Sequence, residues 1–404
     1  MTESAPAGLY VHVPFCVSHC PYCDFVVVAG REARGPANRM AAFVDALAVE
    51  LGLRADALDD RWGPSREPLA TLYLGGGTPS LLPAATVARL IDLVRGRFGL
   101  APGAEVTIEV NPGPDERGDA AALHDAGVTR MSIGAQSFDA AELSRLGRRH
   151  APLDIEAAVG EARSAGIGSV SLDLLYDVPG QSAGSWSRTL ETALRLEPDH
   201  LSLYALTLDD PDAEGITGPA GDHLPTRPGA RRWRDRARLE QDDDRAAGMY
   251  EDADRRLVDA GYGWYEISNW ARPGHRSRHN LGYWQGSAWA AAGPGAHAFD
   301  GATRRWNAAR LDAYIAALVP PDGVAPRLPP GGQDPADPAA RTAEAAITAL
   351  RTRDGLPLAA LDDPRFGTEL AWALDARLLE QADGRLALTR TGRLLSNELF
   401  ARLI

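Results

Sequence analysis

The sequence predicts an α/β fold, in which short parallel strands alternate with helices, followed by a small C-terminal domain. Six short apolar runs each end in loop residues, and segments with helical spacing lie between them. The 404-residue chain is 45% hydrophobic and 24% charged, which is typical of a globular protein with a buried core. The apolar runs are also far shorter than the roughly 18 residues that predict a membrane span.

The apolar runs give the position of the strand in each strand–helix unit. The strands are predicted at residues 9–13, 71–74, 106–110, 130–133, 169–175 and 200–206. The helices are predicted at residues 38–57, 84–97, 117–126, 139–146, 153–165 and 185–194. In the first helix Phe43, Leu47 and Leu51 recur every four residues and therefore share one face. Six units suit either an incomplete barrel or an open doubly wound sheet, and periodicity alone does not choose between them.

Composition divides the chain into four parts. Residues 1–207 hold the alternating units, and residues 208–319 form a connecting region with one helix and an aromatic-rich segment. Residues 320–338 hold seven prolines and three glycines, which predicts a linker. Residues 339–404 are predicted to form a small helical or winged-helix-like domain with a short strand near residues 385–389.

The charge balance argues against one class of partner. The formal net charge is −13, and all 42 basic residues are arginine. Such an acidic chain does not suit sequence-independent binding of nucleic acid, which requires many phosphate contacts. Acidic residues follow the arginine-rich segment 231–238, so we interpret that segment as a solvated face. Residues 1–8 have neither the basic nor the apolar region of a secretory signal, and a cytoplasmic protein is expected.

The three cysteines of the chain lie close together, as Cys16-x3-Cys20-x2-Cys23 after the first predicted strand. This clustering does not suit a disulfide framework, whereas thiolates ligate zinc and iron–sulfur clusters. Three cysteines could hold three irons of a 4Fe–4S cluster and leave the fourth iron open to another ligand. The alternatives are a zinc site whose fourth ligand is His12 or His19, and three buried thiols that bind no metal.

Polar residues lie at the ends of four other strands or soon after them, where parallel β/α folds bind their ligands. The glycine run 75–77 would let a ligand approach backbone N–H groups closely. Glu109 and Gln136 end the third and fourth strand motifs, where they could bind hydroxyl, ammonium or carboxylate groups. Arg148 could clamp a carboxylate, and Asp173 is a charge in an apolar strand that needs a partner.

Together these motifs resemble the radical S-adenosylmethionine (SAM) superfamily, and within it the oxygen-independent coproporphyrinogen III oxidase family. The segments that carry the family-level resemblance are 10–16, 75–80, 132–138, 201–206 and 265–269. The resemblance implies a partial (β/α)6 barrel of the TIM-like, radical SAM type with a C-terminal helical or winged-helix-like domain. It also implies that SAM chelates the open iron and can be cleaved to a 5′-deoxyadenosyl radical. The residues that would contact SAM are Tyr10, Gly76, Gly77, Thr78, Glu109, Gln136, Arg148 and Asp173.

Two features are similar to the haem-chaperone branch of this family. The oxidases carry a fourth cysteine two positions after the third, where this chain has Phe25. The chaperone branch carries a His-Asn-x-x-Tyr-Trp motif that is associated with haem binding. In this chain the motif is formed by His279, Asn280, Tyr283 and Trp284.

The resemblance makes residues 208–319 the expected haem-binding region. The imidazole of His279 could be an axial ligand of haem iron, with His275 and His297 as alternatives. The two aromatic residues of the motif could cover the porphyrin face. The arginines that could pair with the propionates are Arg272, Arg276 and Arg278.

The implied function is a haem chaperone that carries a 4Fe–4S cluster and SAM and transfers haem to acceptor haemoproteins, with transfer at the membrane as a further expectation. The alternative is a radical SAM enzyme, either an oxygen-independent coproporphyrinogen III oxidase or a methylase or cyclopropanase. A zinc-bearing interaction protein is a third hypothesis. A homodimer and peripheral contact with membrane respiratory enzymes are further expectations. Asp177 stands where the family commonly has glycine, and it is expected to alter the floor of the pocket.

Overall fold

A computed structural model of the chain describes residues 3–35, 38–209, 212, 215–335 and 337–404. The strands are β1 (Gly8–Val13), β2 (Phe15–Cys16), β3 (Val28–Ala29), β4 (Leu69–Gly76), β5 (Leu100–Val110), β6 (Arg130–Gln136), β7 (Ser169–Tyr176), β8 (His200–Ala205), β9 (Gly263–Glu266), β10 (Asn269–Ala271), β11 (Trp289–Ala292), β12 (His297–Phe299), β13 (Thr303–Asn307), β14 (Gly331–Pro335), β15 (Leu356–Pro357), β16 (Leu379–Ala382) and β17 (Arg385–Leu388).

The α-helices of the described residues follow the same numbering. They are α1 (Met40–Trp62), α2 (Ala84–Arg97), α3 (Ala120–Asp125), α4 (Ala140–Arg145), α5 (Pro152–Ser164), α6 (Ala183–Arg195), α7 (Pro228–Arg238), α8 (Asp243–Asp259), α9 (Arg278–Trp284), α10 (Leu311–Leu318), α11 (Pro338–Leu350), α12 (Gly367–Asp375), α13 (Arg390–Leu394) and α14 (Ser396–Phe400). None of these helices is both long and apolar enough to cross a membrane.

The six predicted strands are confirmed as β1, β4, β5, β6, β7 and β8, which pair in that order and all run parallel. The six predicted helices are confirmed as α1 to α6. Alternation along β1 shows how the sheet divides its two faces. Leu9, Val11 and Val13 belong to the main hydrophobic core, whereas Tyr10 and His12 lie on the opposite, concave face. Because the strands are parallel, their carboxyl ends meet at one rim of this concave face.

The sheet continues on both sides of the six strands. β11 pairs parallel to β1, and β12, β13 and β14 extend that side as antiparallel strands. On the other side, β10 and β9 add to β8. The resulting sheet has twelve strands, and its edges, β14 and β9, do not pair with each other. This open arrangement is that of a partial barrel, as the family resemblance implied.

The proline-rich segment 320–338 differs from the expected linker, because its residues Gly331–Pro335 form strand β14. β14 pairs only with β13 and lies at the edge of the sheet. An edge position accommodates proline, because one side of such a strand needs no N–H donor. Pairing between β13 and β14 therefore joins this segment to the barrel.

The C-terminal residues have a separate hydrophobic core, formed by α11, α12, α14 and the three-stranded sheet β15-β17-β16. This combination of helices with a small antiparallel sheet agrees with the winged-helix-like expectation. Asp254 on α8 joins this core to the barrel. Its carboxylate accepts hydrogen bonds from Arg393 at 2.9 Å and from Arg390 at 2.6 Å.

Candidate cofactor site

A cavity of about 450 Å³ opens at the carboxyl ends of the parallel strands and extends into the concave face of the sheet. We call it the main cavity. Other cavities of the fold have volumes of about 340, 280 and 260 Å³. Of the residues predicted for the site, those that line the main cavity are Cys16, Cys20, Cys23, Gly76, Gly77, Glu109, Gln136, Arg148, Asp173 and Asn280.

The cysteine loop follows β1 and is folded back where β2 pairs with β3. All three thiols are partly exposed, and they face the main cavity. The hydroxyl of Thr78 donates to Cys16 Sγ at 3.4 Å, and Arg148 Nη1 donates to Cys20 Sγ at 3.8 Å. Burial raises the pKa of Cys16 to about 11 and that of Cys23 to about 12. A bound metal would have to displace the protons of these thiols.

Arg234 on α7 holds the other side of the cysteine loop. Its guanidinium donates to the carbonyl oxygen of Tyr22 at 2.7 Å and forms an ion pair with Asp24. Its side chain is only 4% exposed, so the prediction that segment 231–238 is a solvated face is wrong at this position. No local pattern predicted this contact, because more than 200 residues separate Arg234 from the loop.

The glycine run 75–77, at the end of β4, packs closely against the start of the cysteine loop. A Cβ atom at Gly77 would lie 2.7 Å from the carbonyl oxygen of Phe15, so only glycine fits there. Gly76 has a φ of 109°, a conformation that favours glycine. Its N–H donates to Glu109 Oε2 at 2.8 Å, which fixes the backbone against the acid of the next strand.

Glu109 lines the main cavity and accepts a second hydrogen bond, from the hydroxyl of Tyr73 at 2.8 Å. Burial raises the pKa of Glu109 to about 7, although both hydrogen bonds oppose that rise. A cationic ligand in the cavity would favour the ionised form. The sequence did not single out Tyr73, whose place inside β4 gave it the appearance of a strand residue.

Arg148 and Gln136 meet near the carboxyl ends of β5 and β6. Arg148 Nη2 donates to Asn111 Oδ1 at 2.6 Å and to the carbonyl oxygen of Gly134 at 2.9 Å, while its buried Nε has no hydrogen-bond partner among the described residues. Gln136 has a φ of 66°, which is uncommon for a residue with a side chain and is found more often at functional sites. Asn111 was missed as a site residue, although it also donates to Thr78 Oγ1 at 2.8 Å.

Asp173 lies in the wall of the main cavity on β7. The hydroxyl of Ser132 is 3.1 Å from both of its carboxylate oxygens, and burial raises the pKa of Asp173. The internal partner expected for a charge in an apolar strand is therefore present, and Asp173 also faces the cavity. Further polar residues of the same wall, which the sequence did not single out, are Arg130, His200, Ser202 and Tyr204.

Asp177 does not form the pocket floor, so the expectation for this residue is corrected. It is buried and outside the lining of the main cavity, and its carboxylate accepts a hydrogen bond from Arg245 Nε at 2.9 Å. Its φ of 56° lies in the left-handed region. Aspartate tolerates this region better than most residues, which explains how it can stand where glycine is common.

The His279 motif lies on α9, at the amino ends of the strands and thus opposite the cysteine loop. The N–H groups of Arg278 and His279 donate to the carboxylate of Glu105, near the start of β5's pairing with β4, at 3.1 Å. Asn280 faces the main cavity from this end. Trp284 instead packs against the guanidinium of Arg351, 4.4 Å from its ring centroid, at the start of the C-terminal domain.

Both nitrogen atoms of the His279 imidazole are hydrogen bonded. Nδ1 lies 2.8 Å from Thr71 Oγ1, and Nε2 lies 2.7 Å from the hydroxyl of Tyr283. The ring also stacks on Tyr73, and burial lowers the pKa of His279 to about 3. His279 would have to break one of these hydrogen bonds to ligate a metal.

The arginines of the preceding segment are also engaged. Arg272 and Arg276 lie over the rings of Tyr262 and Tyr265, and Arg278 Nη1 donates to the carbonyl oxygen of Gly103 at 2.8 Å. His275 lies with them at the amino ends of the strands, 3.3 Å from the hydroxyl of Ser169.

A second cavity of about 340 Å³ lies beside β1, between the residues that follow the cysteine loop and strands β11 and β12. We call it the lateral cavity. Tyr10, predicted to contact SAM, lines this cavity, and its hydroxyl lies 2.9 Å from His12 Nδ1. The residues that line the lateral cavity are Tyr10, His12, Asp24, Phe25, Val26, Asp222, Tyr283, Trp289, Gly295 and His297.

The residues of the main cavity fit a cluster and a polar ligand such as SAM. Three thiols face one space, and hydrogen-bond donors from Thr78 and Arg148 reach two of them. Glycine at position 77 lets the turn pack directly against the backbone of the cysteine loop, and the Nε of Arg148 is buried without a hydrogen-bond partner among the described residues. Thiolate ligands suit iron–sulfur clusters, and the carboxyl, amide and guanidinium groups suit the polar ends of SAM.

Two family models match the chain. The radical SAM superfamily matches residues 10–193, and the HemN C-terminal domain matches residues 336–395. Among solved structures, coproporphyrinogen III oxidase (HemN) from Escherichia coli, described as a radical SAM enzyme, has a TM-score of 0.76 and 24% sequence identity. That comparison covers 99% of this chain and 90% of the oxidase, and it shows that the two share a fold.

The curated relatives are more similar to this chain in sequence than the oxidase is. "Heme chaperone HemW" of Mycobacterium tuberculosis (strain ATCC 25618 / H37Rv) is 39% identical over 399 residues, which cover 99% of this chain and 95% of the relative. "Heme chaperone HemW" of Escherichia coli (strain K12) is 37% identical over 297 residues, which cover 74% of this chain and 71% of the relative.

Proposed function

This chain belongs to the HemW family of the radical SAM superfamily, and on that basis we propose that it is a haem chaperone, which binds haem and transfers it to acceptor haemoproteins. The observation that carries the proposal is the 39% identity to a relative named as a heme chaperone, over 99% of this chain. Phe25 supports it, because the oxidases of the wider family carry a cysteine at that position and this chain has only three cysteines.

Cys16, Cys20 and Cys23 would hold the 4Fe–4S cluster that the radical SAM family implies. When bound, such a cluster supplies an electron and an open iron to which SAM can bind. Around it, this chain contributes hydrogen-bond donors to the sulfur atoms and excludes bulky side chains from the glycine turn. The chaperone proposal assigns to this end of the barrel a structural or regulatory role in haem transfer.

SAM would lie across the strand ends of the main cavity. Glu109 would bind a cationic or hydroxyl group, and Arg148 would bind a carboxylate. The N–H groups of Gly76 and Gly77 donate to Glu109 and to the carbonyl oxygen of Val13, so these two glycines would contact SAM through the space that their missing side chains leave. Gln136 and Asp173 would bind the remaining polar groups from neighbouring strands. Their common position on the wall of one cavity supports this proposal. Tyr10 and Thr78 would contribute to SAM binding indirectly, since neither lines the main cavity.

Haem would bind within residues 208–319, as the family's His-Asn-x-x-Tyr-Trp motif implies. Since His279 is buried with both nitrogens hydrogen bonded, we propose that it organises α9 rather than binding iron directly. Asn280 faces the main cavity, and Tyr283 faces the lateral cavity. Trp284, which packs on Arg351, would stabilise the contact with the C-terminal domain.

The acceptors would include membrane respiratory enzymes, which the chain would meet by peripheral contact from the cytoplasm, and a homodimer would be the working form. Transfer to a membrane-bound acceptor requires contact at the membrane surface, which supports the first of these proposals. Light scattering of the purified chain at several concentrations tests the homodimer. Flotation with vesicles that carry a haem-free acceptor tests the contact at the membrane.

The second candidate function is that of a radical SAM enzyme, either a coproporphyrinogen III oxidase or a methylase or cyclopropanase. The observation in its favour is that polar side chains line the main cavity beside the thiols. They are Glu109, Gln136, Arg148 and Asp173.

One experiment separates the two functions. The chain is reconstituted with iron and sulfide without oxygen, titrated with haem, and mixed with a haem-free haemoprotein. The chaperone function predicts saturable haem binding and transfer, with no decarboxylation of coproporphyrinogen III in a parallel assay with SAM and reductant. Decarboxylation without haem transfer would favour the enzyme. Metal analysis of the protein as purified without oxygen, before reconstitution, tests the third hypothesis, because zinc in place of iron and sulfide would favour an interaction protein.

A further inference from the structure

The lateral cavity combines aromatic walls with histidine side chains beside the cysteine loop. Tyr283 and Trp289 meet edge to face with 4.6 Å between their ring centroids. Phe25 stands at the mouth of the cavity with 64% of its surface exposed, which is unusual for so large an apolar side chain. Aromatic side chains that line a cavity suit an apolar aromatic ligand, and a porphyrin ring has that character.

Only one histidine of this cavity is available to a ligand. His12 is buried, with Nδ1 2.9 Å from the hydroxyl of Tyr10 and Nε2 2.8 Å from the carbonyl oxygen of Val26. His297 has 45% of its side chain exposed, and only its Nε2 is paired, at 3.0 Å from Asp222 Oδ2. Within the described part of the chain, Nδ1 of His297 has no hydrogen-bond partner.

The surroundings of His297 suit an iron ligand. A carboxylate that accepts the N–H of one ring nitrogen leaves the lone pair on the other and orients the ring, as in many metal-binding histidines. Burial lowers the pKa of His297, so the ring is neutral at neutral pH and its lone pair is free. Asp222 thus supports ligation by His297, whereas both ring nitrogens of His279 are already hydrogen bonded.

We propose that haem binds in the lateral cavity and that His297 supplies a ligand to its iron. The inference rests on the proposed haem-chaperone function and gives it a place on this chain. One coordination bond forms, from the free lone pair of the imidazole to the iron, with no change of oxidation state and no proton released. The porphyrin lies against Tyr283 and Trp289, and Phe25 covers its edge next to the cysteine loop. This position leaves the iron ligand partly exposed, as transfer to an acceptor requires.

The test compares three histidine variants of the full chain, reconstituted with its cluster and titrated with haemin. They are His297→Ala, His279→Ala and His275→Ala, the last being a partly exposed histidine outside both cavities. Electron paramagnetic resonance follows the ferric haem, since the oxidised 4Fe–4S cluster is diamagnetic. His297→Ala is expected to change the haem signal and lower haemin affinity about tenfold or more, and added imidazole to restore the signal. His275→Ala is expected to keep the signal and the affinity of the unaltered chain. His279→Ala removes the hydrogen bond to Tyr283, so it is expected to keep the ligand signal but to bind haemin more weakly.

Metal-free protoporphyrin separates the iron ligand from the ring contacts. The affinity for this porphyrin should be unchanged in His297→Ala and lowered in Trp289→Ala. The Trp289→Ala change should also lower the affinity for haemin. His297→Asn, which can still hydrogen bond to Asp222, guards against a folding defect and should lose the ligand signal as well. An unaltered haem signal in both His297 variants would overturn the assignment, as would full porphyrin affinity in Trp289→Ala. If the unaltered chain binds no haem at all, the chaperone function itself is overturned.

Discussion

The ring of Tyr73 stacks on the imidazole of His279, with 5.1 Å between the two ring centroids. The hydroxyl of the same tyrosine donates to Glu109 in the main cavity. One side chain therefore separates the His-Asn-x-x-Tyr-Trp motif at the amino ends of the strands from the acid proposed to bind SAM. Changes on either side of Tyr73 can be tested for their effect on the other.

Tyr73→Phe removes the hydroxyl that donates to Glu109 and keeps the stacked ring. The loss of one hydrogen bond to a carboxylate should weaken SAM binding by ~1–2 kcal/mol, or about tenfold in affinity. Calorimetric titration of the reconstituted chain measures this. Tyr262→Phe is the matched control, because its hydroxyl donates to the carbonyl oxygen of Pro198, remote from the cavity. Equal SAM affinities for both variants would show that the hydroxyl of Tyr73 does not contribute to SAM binding.

Assembly of the cluster should depend on pH. Because burial raises the pKa of Cys16 to about 11 and of Cys23 to about 12, both thiols are protonated in the metal-free chain at pH 7. Binding iron displaces these protons, so assembly is favoured as pH rises. We expect iron and sulfide content after reconstitution to rise between pH 7 and pH 9. Alanine at any one of the three cysteines should abolish the cluster at both pH values, and a variant with full iron content would contradict the assignment.

Glu109→Gln should change how the stability of the metal-free chain depends on pH. The folded-state pKa of about 7 lies above the usual value of 4.5, so the folded protein holds this proton more tightly than the unfolded chain. Stability is therefore unaffected below pH 4.5 and falls as pH rises to about 7, by up to ~3 kcal/mol. Denaturation by urea at pH 5 and pH 8 should show a smaller difference for Glu109→Gln than for the unaltered chain. Identical differences would show that Glu109 titrates normally.

Asp177→Ala should destabilise the folded chain without weakening its binding of SAM. The change removes the ion pair with Arg245 and places alanine at a φ of 56°, for an expected loss of ~1–4 kcal/mol. SAM affinity should stay the same, because Asp177 does not line the main cavity. Urea denaturation and calorimetric titration measure the two effects. A large loss of SAM affinity in a folded variant would contradict this and indicate that Asp177 forms part of the pocket floor.

Local pattern predicted the parallel strands and the cysteine loop, and it failed where the structure depends on distant pairing. Apolar alternation placed β1, because the positions of Leu9, Val11 and Val13 are set by a period of two residues. Arg234 gave no local signal of its contact with Asp24, since the two meet only after α7 folds across the loop. β14 was likewise hidden by its prolines, which are common both in linkers and at sheet edges.

Haem binding should survive the loss of the cluster. The walls of the lateral cavity include Phe25, which follows the cysteine loop, but none of the three thiols. A variant with alanine at Cys16, Cys20 and Cys23 should therefore keep its haem affinity within a few fold, provided that the pairing of β2 with β3 holds the loop in place. Haem titration of this variant is compared with that of a chain in which Tyr283 and Trp289 are both alanine. That second chain loses aromatic contact at roughly 25 cal/mol per Å² of apolar area and should bind haem more weakly. If the cysteine variant loses haem and the aromatic variant keeps it, haem binds at the thiols and the lateral cavity is not its site.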